Sequence, residues 1–199
     1  MCASFEARLS VTQLVAAFAE AGAPLGFPVG LPNIEPVDEV RPTDMAQVVR
    51  ASAMDRAELA PMRFGFPPPA PKRPPVINFR SEGRRFSNGA TSGRALVPVS
   101  GFYEFTGDRY PKTRWRLGGR DAPFIALAAL WRRGADGAGD AFALLTADPG
   151  PDIAPYPDRG VIPLPAETWT NWLFDRMPAE ALLAPAAAGT LVAVAAPRG

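Results

Sequence analysis

The 199-residue chain contains no histidine and a single cysteine, Cys2. Without imidazole, the Ser-His-Asp and Cys-His routes to an activated nucleophile are closed, and so are histidine metal sites. One cysteine cannot form an internal disulfide or a Cys-x-x-Cys pair, which fits a reducing compartment. The glycine-rich loops that cradle nucleotide phosphates are missing too. No apolar run approaches the roughly 20 residues that span a bilayer. Acidic Glu6 and Glu20 bracket the only apolar stretch near the start, which argues against a secretory signal. These absences predict a cytoplasmic protein with no metal, no cofactor and no membrane partner. Its chemical resources reduce to carboxylates, amides, hydroxyls, Arg, Lys and one thiol.

What is present is an ordinary soluble composition, 47% hydrophobic and 21% charged. The length fits one domain over residues 1–199 with a real core, expected to be a monomer. Net charge is only +1, yet it is unevenly placed. From Arg63 to Arg120 twelve basic residues face three acidic ones, so this block carries +9 and the remainder −8. Aromatic residues, among them Phe64, Phe79, Phe86, Tyr103, Phe105 and Trp115, are interleaved with the charges. Charge for phosphates and rings for bases is what single-stranded nucleic acid requires. A solvated Arg-rich surface is the competing reading.

Local patterning predicts a helix over 11–21. Ser10 and Gln13 form a capping-box pair, and Val11, Leu14, Val15 and Phe18 recur at helical spacing. Residues 22–45, including "PNIEPVDEVRPT", read as loop, and "MAQVVRAS" as a short strand. The Pro-dense stretch 64–75 reads as a loop. Four apolar runs, "RALVPVSGFYEFT", "PFIALAALWRR", "AFALLTA" and "TLVAVAA", have strand length and Gly, Asp or Pro boundaries. "PAETWTNWLFDR" and "MPAEALLAP" read as late helices. Strands not regularly alternated with helices predict an α+β fold, a mainly antiparallel, barrel-like β core with a few flanking helices.

Taken in order, "MC" at the start, "NIEP" at 33–36, "MRFGF" at 62–66, "NFRSEG" at 78–83 and "LVPVSGFYEF" at 96–105 form a recognisable series. "FIALAALW" at 124–131 and "FALLTADPG" at 142–150 complete it. The series resembles the SOS-response-associated peptidase (SRAP) family over nearly the whole chain. The resemblance implies covalent capture of abasic sites in single-stranded DNA, in a basic channel leading to an N-terminal Cys. Removal of Met1 would give Cys2 a free α-amine beside its thiol. With a reference pKa of about 7.7–8.0, that amine can form a Schiff base with the sugar aldehyde. The thiol can then close a thiazolidine on the same carbon, provided amine and sulfur are accessible.

By the same resemblance Glu104 is the general acid/base, Asn78 hydrogen-bonds near the crosslink and Arg80 pairs with a phosphate. The rings flanking Glu104 should desolvate it and raise its pKa. Phe64 and Phe105 stand at Trp positions of the family and would stack on bases, with core packing as the alternative. Pro36 would line the channel, and Arg84, Arg85 and Arg159 join the DNA-binding set. Departures are also visible. Pro157 occupies the place of a family His, Ser4 that of an early basic residue, and Ala147 that of a Thr. A degenerate member that binds single-stranded DNA without bonding to it is therefore an alternative, as is an autoprocessing N-terminal-nucleophile peptidase.

Overall fold

The computed structural model describes residues 2–68, 70, 72–135 and 139–197. After strand β1 (Phe5–Ala7) the chain enters helix α1 (Val11–Glu20). The capping box forms: Ser10 Oγ accepts from the Gln13 amide (3.2 Å), and Gln13 Oε1 accepts from the Ser10 amide (2.9 Å). Of the four residues at helical spacing, Leu14 and Phe18 are buried, Val11 is half-buried and Val15 is exposed. Strands β2 (Leu25–Gly26) and β3 (Val37–Val40) follow, the latter within a stretch expected to be loop. β3 forms because its register with β1, Phe5 opposite Val40, supplies a ladder that local propensity does not reveal.

A long hairpin, β4 (Met45–Ala51) and β5 (Ala57–Phe64), turns at 52–56. Only its first arm was legible, since Pro61 interrupts the second. At Gly65 the chain leaves β5 with φ +101, and a Cβ there would lie 2.9 Å from Pro75 Cβ. Among its described residues the Pro-dense stretch forms an isolated bridge, Phe66 to Val76, and the three-residue β6 (Asn78–Arg80) follows.

The "RALVPVSGFYEFT" run is two strands, not one. β7 (Ser92–Val99) and β8 (Gly101–Thr106) belong to different sheets and separate at Ser100. Next come β9 (Thr113–Gly119), β10 (Ile125–Arg132), β11 (Ala141–Ala147), β12 (Gly160–Val161) and β13 (Pro163–Leu164). A 3₁₀ turn at Ala166–Thr168 leads into α2 (Trp169–Leu173), then α3 (Ala179–Leu182) and β14 (Leu191–Ala195). Both late helices are shorter than expected.

The larger sheet runs β12-β11-β10-β7-β4-β5-β2, and a further β11–β5 pairing bends it into a ring. The smaller runs β14-β9-β8-β1-β3. The α+β expectation holds, as a ring-like rather than strict barrel. Pairing is mainly antiparallel, but β5 and β6 run parallel to β11 and β2 runs parallel to β5. One core packs the ring strands against α1 and α2, where Phe18 stacks on Trp169 at 4.5 Å. The other lies against the small sheet and contains Phe5, Phe64, Phe102, Phe142 and Cys2. No helix among the described residues is long and apolar enough to cross a membrane.

Candidate functional site

Three chain segments bring the predicted chemical residues together. β1 pairs with β8, Phe5 opposite Phe102, which carries the lead-in residues 2–4 past Glu104. β6 is laid parallel to β11, Asn78 opposite Leu144 and Arg80 opposite Thr146. From that position Asn78 Nδ2 donates to the Cys2 carbonyl at 2.9 Å, a contact between residues 76 apart in sequence. Asn78 Oδ1 is buried and has no hydrogen-bond partner among the described residues. A buried amide oxygen left this way is costly and is an acceptor waiting for a donor.

Glu104 is 2% exposed. Burial disfavours its ionised form and raises its pKa from 4.5 to about 7, as the flanking rings predicted. A carboxyl poised there can both give and take a proton near neutrality. Cys2 differs from expectation. In the chain that retains the Met1–Cys2 peptide bond the residue is fully buried, and its thiol donates to the Ser4 carbonyl at 3.2 Å. Burial, reinforced by the nearby Glu104 charge, pushes the thiol well above its ordinary pKa. The expected open sulfur facing a groove is therefore not present in this form.

The DNA-binding candidates separate into groups. Phe64 is corrected to a core residue. It is fully buried, stacks on Phe142 at 5.1 Å and meets Phe5 edge-on at 5.4 Å, so it offers no face to a base. Phe105 is half-buried on β8, and Pro36 is exposed just before β3. Arg80, Arg84 and Arg85 are exposed. Arg159 is already engaged, since its Nη2 reaches both Glu82 oxygens (2.7 and 2.8 Å) and the Thr146 carbonyl (2.9 Å). It holds the loop after β6 rather than standing ready for a phosphate. Pro157 is half-buried, and Tyr156 packs on Trp115 at 5.2 Å against the core that holds Cys2.

Sequence reasoning missed a polar network beneath the amino end. Ser4 Oγ donates to Glu39 Oε1 (2.8 Å), which pairs with Arg114 (3.0 Å), whose guanidinium lies 3.6 Å over the Tyr103 ring. Beside it Arg116 pairs with Glu6 (2.6 Å), which also accepts from Ser100 Oγ (2.8 Å). These partners hold the carboxyls of Glu6 and Glu39 below their ordinary value even though burial opposes it. The network also lowers the charge read from the basic block. Arg94, Arg114 and Arg116 are neutralised by Asp175, Glu39 and Glu6, all outside the block. Nothing local in the sequence pairs residues that far apart. No group of His, Cys, Asp or Glu fit to hold a metal occurs among the described residues.

The profile of the SOS response associated peptidase (SRAP) family matches residues 1–196. No curated protein sequence matches the chain. A crystal structure of a protein from Bordetella bronchiseptica is similar, at 23% identity and TM-score 0.72, covering 99% of this chain and 100% of that one. A phage-related protein from the same organism gives 21% and 0.75, covering 99% and 95%. A protein from Bacteroides thetaiotaomicron gives 16% and 0.61 over 79% and 77%. At these identities the likeness is one of fold.

Proposed function

The chain belongs to the SOS response associated peptidase (SRAP) family, and from that premise we propose that it captures abasic sites in single-stranded DNA through Cys2 after Met1 is removed. The observation that carries this reading is the meeting of Asn78, Cys2 and a carboxyl of pKa about 7 at one place. The α-amine of Cys2 adds to the sugar aldehyde. Glu104, in its acid form, gives a proton to the departing hydroxyl, and one water leaves as the imine forms. The thiol, which has to leave its buried place and its bond to the Ser4 carbonyl first, then adds to the imine carbon, its proton passes to the ring nitrogen, and a thiazolidine closes. Asn78 fixes the backbone at Cys2, and its second amide atom supports the sugar.

The test is a single-stranded oligonucleotide with one abasic site, mixed with protein whose Met1 is absent by intact mass. A band resistant to denaturant is expected, at protein plus DNA less one water, and Cys2→Ala removes it. No such band sinks the reading.

The buried sulfur favours a second reading, a member that binds single-stranded DNA without bonding to it. That reading predicts salt-sensitive binding, no covalent product and unchanged behaviour of Cys2→Ala.

A further inference from the structure

Strand alternation turns Phe79 away from Asn78 and Arg80, so the two faces of β6 serve different spaces. On the Phe79 side lies a groove of about 390 Å³ whose lining includes Phe79, Arg84, Arg85, Ser87, Ser92 and Arg132. Among the described residues, no carboxylate lines it. Glu82, Asp148 and Glu180 lie across the Arg84–Arg85 ridge in the adjoining groove, and Glu82 is occupied by Arg159.

Two of the three guanidinium groups, those of Arg84 and Arg132, are held by rings. Arg84 sits 4.7 Å over Phe79, and Arg132 sits 4.4 Å over Phe66 and 5.8 Å from Phe79. Ring contacts orient a cation without neutralising it, leaving the N–H edges free for an anion. Three like charges converging without a counter-charge repel each other, and a bound anion relieves that repulsion. The charge is spread over two elements, the loop after β6 and the end of β10, which suits a repeating polyanion better than one small ion. Serine hydroxyls add neutral donors, and the half-buried Phe79 ring supplies apolar surface for a sugar or base.

We propose that this groove is a second, non-covalent contact for the phosphodiester backbone of single-stranded nucleic acid, on the face of β6 opposite Asn78. The inference rests on nucleic acid being the ligand, but not on the covalent chemistry at Cys2.

The experiment uses the full chain and an unmodified oligonucleotide, which has no abasic site, so the outcome is independent of crosslinking. Affinity is measured against salt. Each lost phosphate contact lowers the single-strand salt slope by about 0.7, so Arg84→Ala with Arg132→Ala should lower it by about 1.4. Affinity at 0.1 M salt should then fall about 25-fold. Ser87→Glu, at an exposed position, should weaken binding as well. Unchanged affinity and slope in both variants overturn the proposal. So does a mononucleotide that binds as tightly as the oligonucleotide, which would make this a small-anion site. Loss of affinity in these variants alongside a wild-type protein that never crosslinks would uphold the groove and reject the capture chemistry.

Discussion

Glu104→Gln is expected to slow abasic-site capture by roughly 10²- to 10⁴-fold, the usual contribution of a positioned acid or base. The same change is expected to stabilise the fold above neutral pH. Burial raises the folded pKa of this carboxyl from 4.5 to about 7. The folded state therefore holds the proton more tightly than the unfolded state does. Its contribution is fully present below about 4.5 and is lost as pH rises through about 7. The loss amounts to roughly 3 kcal/mol. Glutamine keeps the shape and cannot ionise, so this fall disappears. Urea unfolding at pH 5 and pH 8, beside single-turnover capture at pH 7, reads both effects. A wild-type stability that is flat between those pH values would show that the carboxyl is not desolvated. Capture and stability moving in opposite directions separate a chemical role from a structural one.

Phe64→Ala should cost about 3–5 kcal/mol, whereas Phe105→Ala should cost much less. Phe64 loses its stack on Phe142 and its edge contact with Phe5, in the core where the ring meets the small sheet. Aromatic pairing contributes about 0.5–1.5 kcal/mol beyond area, and the cavity left behind adds more. Denaturant unfolding of both variants, with DNA affinity measured under fully folded conditions, checks the assignment. A Phe64 variant that keeps its stability but loses DNA affinity would return this ring to the binding surface.

The sequence made legible what local physics decides. Ser10 and Gln13 cap α1 because a capping box needs only residues three apart. The apolar runs of β10 and β11 become strands because they are short, uninterrupted and bounded. The Glu104 shift was readable from the rings beside it. What depends on distant partners was not readable. β3 exists through its ladder with β1, and the "RALVPVSGFYEFT" run divides at Ser100, where the Arg116–Glu6 pair and two sheets meet. The excess charge of the basic block was overstated because Glu6, Glu39 and Asp175 arrive from elsewhere. Whether Phe64 stacks on bases or packs in the core cannot be read from the motif, for a related reason. A ring position in a motif does not tell which side of its strand is covered, and Phe142 decides that.

The parallel seating of β6 on β11 has a consequence for how sequence change can act on this protein. Three residues, Asn78, Phe79 and Arg80, are matched one for one with Leu144, Leu145 and Thr146. Sliding that match by a single step would send Phe79 toward Cys2 and turn Asn78 and Arg80 to the apolar side, which takes the site apart. An insertion or deletion within the strand therefore shifts that register and breaks the match. A three-letter segment works here as a binary setting, and the partner strand holds it at one value.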